Sequence, residues 1–147
     1  MTDSRRYFTL EEANAALPAV RAVVAEQMRR RGEIERELSE LTRALGGAMP
    51  EVITAEASDA PDVARRKRVI AEKARAWEDG WAAVERLGAL VKDPRIGLID
   101  FFGRVEGRVV FLCWKWDEPE IAHYHELDEG FAGRKPLVGA VRARLYN

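Results

Sequence analysis

The sequence predicts an α+β protein in which a long antiparallel two-helix hairpin, coiled-coil-like, precedes a small antiparallel three-stranded β-meander. Three observations lead there. The composition changes near Pro94, from Ala, Arg, Glu and Leu to Phe, Val, Trp, Tyr and Gly. Apolar residues recur at heptad spacing before that point and alternate after it. One irregular stretch, 48–60, separates two helical stretches of similar length.

The first helix has a defined start. Thr9 followed by Glu12 fits a capping box, with Phe8 placed as its staple residue. One heptad series runs Leu10, Leu17, Val24, Arg31, Leu38 and Leu45, and a second runs Ala13, Val20, Gln27, Ile34 and Leu41; nine of these eleven are apolar, as a packed seam requires. Pro18 either kinks this helix or opens its longer part, and Gly46-Gly47 ends it. The helix is therefore expected over 10–46. Asp59 is the expected cap before Pro61, and the second helix is expected over 61–92, stopped by Asp93-Pro94. A register that sets Leu45 against Val63, Leu38 against Ile70, Val24 against Val84 and Leu17 against Val91 also brings Arg29 to Asp79, Glu33 to Arg75, Arg36 to Glu72 and Glu40 to Arg68. It places Gln27 opposite Trp81 and Arg31 opposite Trp77, where an indole face can cover the guanidinium.

Strands are expected within 95–127. Glu106-Gly107 lies between two alternating runs at the spacing of a two-residue hairpin, although Glu is less usual there than Asn or Asp. That turn puts Ile99, Phe101, Val110, Leu112 and Trp114 on one apolar face, and Asp100, Phe102, Arg104, Val109, Phe111, Cys113 and Lys115 on the other. A third strand is expected over Ile121 to Leu127. Residues 128–147 read as loop and tail, with Leu137 to Tyr146 equally compatible with helix and strand.

The chain has 147 residues, 24 Lys+Arg against 25 Asp+Glu, and one cysteine. Its length suits a single domain over 1–147. Charge near zero excludes the strongly basic class of nucleic-acid binders. One cysteine excludes an intrachain disulfide and a multi-cysteine zinc site. The polar segment from Met1 to Arg6 lacks the pattern of a signal peptide and no apolar run reaches spanning length, so a cytoplasmic protein with no membrane partner is expected. The basic runs Arg29-Arg30-Arg31 and Arg65-Arg66-Lys67-Arg68 have acidic partners in the proposed register, so no nucleic-acid partner is expected.

Four motifs occur in order: Tyr7-Phe8-Thr9-Leu10-Glu11-Glu12-Ala13-Asn14, Gly97-Leu98-Ile99-Asp100-Phe101, Cys113-Trp114, and His125-Glu126-Leu127-Asp128-Glu129-Gly130-Phe131-Ala132-Gly133-Arg134. Together they resemble a bacterial family of small proteins catalogued as a domain of unknown function, over nearly the whole chain. The resemblance implies a small bacterial cytosolic protein and brings no catalytic residues with it.

The residues offer two sites. His123, His125, Glu126 and Glu129 supply imidazole and carboxylate donors, and the two histidines fall on one side of a strand, so a divalent metal is their natural ligand. The simpler reading is an exposed strand edge that runs into a polar turn. Asp100, Arg104, Cys113 and Arg134 form the second set: Cys113 becomes a nucleophile only if a histidine and a carboxylate reach it, and otherwise fills the core. No cofactor is predicted. The expected function is a structural or protein-interaction module that self-associates through its helical hairpin, as a homo-oligomer with a dimer favoured. The competing reading is a small metal-assisted enzyme or ligand-binding protein built on His123–Glu129. Whether the chain is an enzyme stays open.

Overall fold

The capping box forms as the sequence predicts: Thr9 N–H donates to Glu12 Oε1 at 2.9 Å and Glu12 N–H to Thr9 Oγ1 at 3.0 Å. It opens α1, Leu10–Ala44, which carries Pro18 within its length. The computed structural model describes residues 5–138, so most of the tail whose conformation the sequence leaves open lies outside the described residues. The described chain contains α2 (Pro61–Gly80), α3 (Ala82–Arg86), β1 (Leu90–Asp93), β2 (Leu98–Val105), β3 (Arg108–Lys115), β4 (His123–His125), a 3-10 turn (Phe131–Gly133) and β5 (Lys135–Pro136). No helix among the described residues is long and apolar enough to cross a membrane.

The chain divides into two compact units, 25–81 and the remainder. In the first, Leu41 and Ile70 are buried, and Gln27 Nε2 donates to the Trp77 carbonyl at 2.5 Å. Gly80 lies where a Cβ would collide with the Gln27 amide. Lys73 pairs with Glu33 at 3.2 Å. Neither contact is one that the sequence-based register assigns. Arg29 bonds Glu26 and Glu33 on its own helix, and Arg65 and Arg66 both bond Asp62, so the basic runs are met by acids three or four residues away. Asp59 does not cap α2, whose N-cap is Ala60. It accepts from Glu56 N–H and pairs with the buried Lys67 at 3.1 Å, and the Glu56 N–H, then Lys67, holds its carboxyl below the ordinary value.

In the second unit the sheet has five strands, not three, in the order β1-β2-β3-β4-β5, every neighbouring pair antiparallel. The second helix does not reach Lys92. It ends at Gly80, and after α3 the chain turns at Gly88 (φ +92°), where a Cβ would meet the Phe8 ring, and enters β1. Val91 is apolar because it pairs with Ile99 in the sheet, which the heptad count mistook for a helix position. The third strand is shorter than expected, His123–His125, and the two-residue β5 that pairs with it left no alternation to read.

The central hairpin follows its turn. Glu106 and Gly107 adopt φ of +54° and +78°, the left-handed pair of a type I′ turn, and Val105 pairs with Arg108. Ile99, Phe101, Val105, Val110, Leu112 and Trp114 are all buried on one face, with Phe8, Leu10, Ala13, Leu17 and Val20 among the other buried apolar residues of this unit. Gly103 also lies on that face and leaves no room for a side chain, since a Cβ would sit 2.8 Å from Leu112 Cγ and 3.2 Å from the Phe8 carbonyl. Where β1 stops, Phe8 N–H takes over the edge of β2 and donates to Phe102 at 2.8 Å.

The turn yields a stability prediction. A non-glycine residue in the left-handed region costs about 1–2 kcal/mol, a cost that Asn bears more easily than Glu. Glu106→Asn should stabilise the chain by about 0.5–1 kcal/mol, read as a higher urea midpoint with an unchanged slope. The lost Glu106–Arg108 contact is exposed and offsets little of that gain.

Candidate functional site

The register of β2, β3 and β4 sets Asp100 opposite Cys113 and Cys113 opposite His123, with Phe102, Phe111 and His125 in the adjoining row. All six side chains share the face turned away from the apolar core, because partners across antiparallel strands point the same way. β4 reaches this position through its preceding loop. Asn14 Oδ1 accepts from Ile121 N–H at 2.8 Å, Arg21 donates to the Pro119 carbonyl at 2.8 Å, and Trp114 Nε1 donates to the Glu118 carbonyl at 2.8 Å.

Asp100, Cys113 and His125 are each almost fully buried, and their donor atoms lie within 4.8 Å of one another. His125 Nε2 is 2.8 Å from Asp100 Oδ2, and its Nδ1 is 2.8 Å from the Glu126 carbonyl oxygen. A carbonyl only accepts, so Nδ1 carries a proton. The contact between Nε2 and Oδ2 then holds a second proton, shared by the ring and the carboxyl. The other Asp100 oxygen, Oδ1, is buried without a hydrogen-bond partner. The ring of Phe111 lies 5.3 Å from that of His125, and Lys92 Nζ lies 4.1 Å from the Phe111 centroid.

Burial raises the Asp100 pKa, while His125, the nearby Cys113 thiol and Lys92 act in the opposite direction. Burial also raises the Cys113 pKa strongly, and the Asp100 charge beside it adds to the effect. The thiol is therefore a poor free nucleophile. A bound cation would reverse both shifts, since it favours the thiolate and the carboxylate directly.

A second cluster adjoins the first along β4. Arg134 Nη2 donates to Glu118 Oε1 and Oε2 at 2.8 Å each and to His123 Nδ1 at 2.7 Å. Arginine has no acceptor, so His123 Nδ1 accepts and its ring proton sits on Nε2, the reverse of His125. The Arg134 side chain is 9% exposed and its Nε is buried without a partner.

Of the residues singled out in the sequence, the structure groups Asp100 and Cys113 with His125, and joins His123 to Arg134. Arg104 stands apart, exposed, with its guanidinium 4.2 Å from the Tyr7 ring centroid. Glu126 pairs with Arg108 at 2.6 Å. Glu129 accepts from Glu126 N–H and pairs with Lys135 at 3.2 Å, and the N–H, then Lys135, holds its carboxyl below the ordinary range. Glu118 is not among the residues that the sequence singles out, yet it accepts from Arg134 and from Lys115 N–H.

The chain matches, over residues 6–137, the family described as an uncharacterized conserved protein (DUF2203). It belongs to that family. No curated protein and no solved structure matches this DUF2203 member. In it, three motifs quoted from the sequence each deliver one residue to one site: Asp100 from the first strand motif, Cys113 from the Cys-Trp pair, and His125 from the start of the last.

The raised Asp100 pKa sets a pH dependence. A carboxyl that holds its proton more tightly when folded contributes stability that is complete below the ordinary value of 3.8 and is lost as pH rises through the raised value. The metal-free chain should therefore lose stability as pH climbs above the usual carboxylate range. In Asp100→Asn, whose amide can donate to His125 Nε2, that loss should disappear, so that urea midpoints across about pH 4 to 8 become flatter.

Proposed function

We propose that this protein binds a divalent transition-metal ion of the zinc class through Asp100 Oδ, Cys113 Sγ and His125 Nε2. One observation carries this reading: three unlike buried donors converge on the sheet face, with the one imidazole already oriented by a carbonyl behind it. Metal-bound histidines regularly donate their other ring N–H to a carbonyl or carboxylate, which aims the ligating nitrogen. A thiolate, an imidazole and a carboxylate favour zinc, cobalt or iron over magnesium or calcium. Three protein ligands leave one coordination position open, the pattern of reactive rather than purely structural zinc sites. Metal would displace the proton shared by Asp100 and His125 and the thiol proton, so that uptake releases protons.

Cobalt(II) titration of untagged, metal-stripped protein tests this directly. The expected result is one equivalent bound with an intense near-ultraviolet thiolate-to-cobalt band. Cys113→Ser should abolish the band, and His125→Ala should weaken binding by about tenfold or more. An unchanged spectrum in both variants would overturn the assignment.

A second reading has its own support. Leu45, Met49 and Val52 are large apolar side chains exposed beside one another in sequence, and Ile34, Leu38 and Trp77 are only half-buried. We infer that α1 and α2 form an antiparallel, coiled-coil-like hairpin that uses this apolar surface to pair with a second copy in the cytoplasm as a homodimer. Light scattering after size exclusion should give the mass of a dimer, and Leu45→Glu, an exposed and structurally tolerant change, should give a monomer. A parent chain that stays monomeric at high concentration would sink this reading. Nucleic acid is not expected as a partner, because Arg29, Arg65 and Arg66 are all paired with acids.

A further inference from the structure

The second cluster on the sheet face has no role in holding the metal, and it contains an unusual vacancy. Arg134 is nine-tenths buried, and its Nη2 serves three acceptors, while its Nε–H serves none. A buried N–H without an acceptor costs about 1–3 kcal/mol. Its neighbours place it next to the metal donors: His123, which it bonds, pairs across the strands with Cys113, and the charge of Arg134 acts on the Cys113 thiol. The cluster also touches solvent, since the His123 side chain is 35% exposed and that of Glu118 24%.

We propose that Arg134 turns the open position of the metal site into a subsite for a small carboxylate monoanion, bound with one oxygen towards the metal and the other accepting from Arg134 Nε–H. The proposal rests on the metal reading above. The two partners fix the sign of the ligand: a metal cation and the guanidinium of Arg134 both call for an anion, and the Asp100 carboxylate and Cys113 thiolate already balance a dication, so a singly charged group adds least to the site. Geometry selects the shape. A planar carboxylate offers two coplanar oxygens, one for the metal and one for a guanidinium N–H. His123 and Glu118 are positioning residues here, because they fix the guanidinium by taking all of Nη2.

The test uses the full chain loaded with cobalt(II), with sodium acetate as probe and sodium chloride at equal ionic strength as control. Acetate should shift the visible d–d bands saturably while the thiolate-to-cobalt band persists. In Arg134→Gln the thiolate band should remain and the acetate affinity should fall about tenfold or more, the scale of losing a charge-assisted hydrogen bond. Arg134→Lys retains the charge without the Nε–H and should recover only part of it. Absence of a thiolate band in the parent would mean that no metal site exists, and both readings would fall. A thiolate band with no acetate response in the parent would overturn the subsite alone. An equal acetate response in parent and Arg134→Gln would also overturn it, since the anion would then be held by the metal without Arg134. If Arg134→Gln fails to fold, judged by its unfolding curve, the parent titration and the lysine variant still decide.

Discussion

A slip of one residue in the pairing of β2 with β3 would turn one strand over relative to the other, carrying Asp100 or Cys113 into the apolar core and Phe101 or Leu112 out among charges. The two-residue turn at Glu106-Gly107 prevents it. Its left-handed backbone matches the twist of the strands and counts the register from a fixed end, so the apolar face and the polar face are specified together. The core on one side and the donor cluster on the other are two consequences of the same alternation. Apolar burial of Ile99, Phe101, Leu112 and Trp114 thereby holds three ionisable groups in place that would not remain together unaided.

β4 obeys a different constraint. It is too short to find its own register by burial, and its position is imposed by side chains of α1 and β3 that capture the backbone between Glu118 and Ile121. The amino-terminal part of α1 therefore bears on the site without touching it. The same loop supplies Glu118, which ties Arg134 back to the sheet, so that the segment after β4 is also drawn over the donor face. Burying Asp100 works against stability, and the molecule tolerates that cost where a cation would recover it.

Much of this was legible in the residues, and the parts that were not have physical causes. Thr9 and Glu12, and Glu106 with Gly107, are local signals whose geometry depends on a few neighbouring residues, and both appear as read. The apolar face of the hairpin followed from alternation alone. The second helix was read too far because Val84 and Val91 keep the heptad phase while belonging to a short helix and to a strand; periodicity records apolar character and does not say which partner buries it. β1 and β5 were missed because strands of four and two residues carry almost no alternation. Asp100 and Cys113 could be placed on one face from the turn. His125 could not be joined to them, because its row is fixed by the Ile121 N–H bond to Asn14 and by the bond from Arg21 to the Pro119 carbonyl, both far away in sequence. Glu126 and Glu129 looked like ligands beside the histidines, yet Arg108 and Lys135 reach them first.

Complete burial of the three donors has a kinetic meaning. If the proposed ion binds there, its donors are 0–1% exposed, so exchange would require β4 to detach, and its three residues would make that a local rather than a global event. The rate of loading would then be set by strand opening and become independent of ion concentration once ions are plentiful. An ion that arrives while the chain is still folding meets no such barrier and is enclosed as β4 docks. Occupancy in a living cell would in that case record which metal was present when the chain folded, more faithfully than which metal binds best at equilibrium.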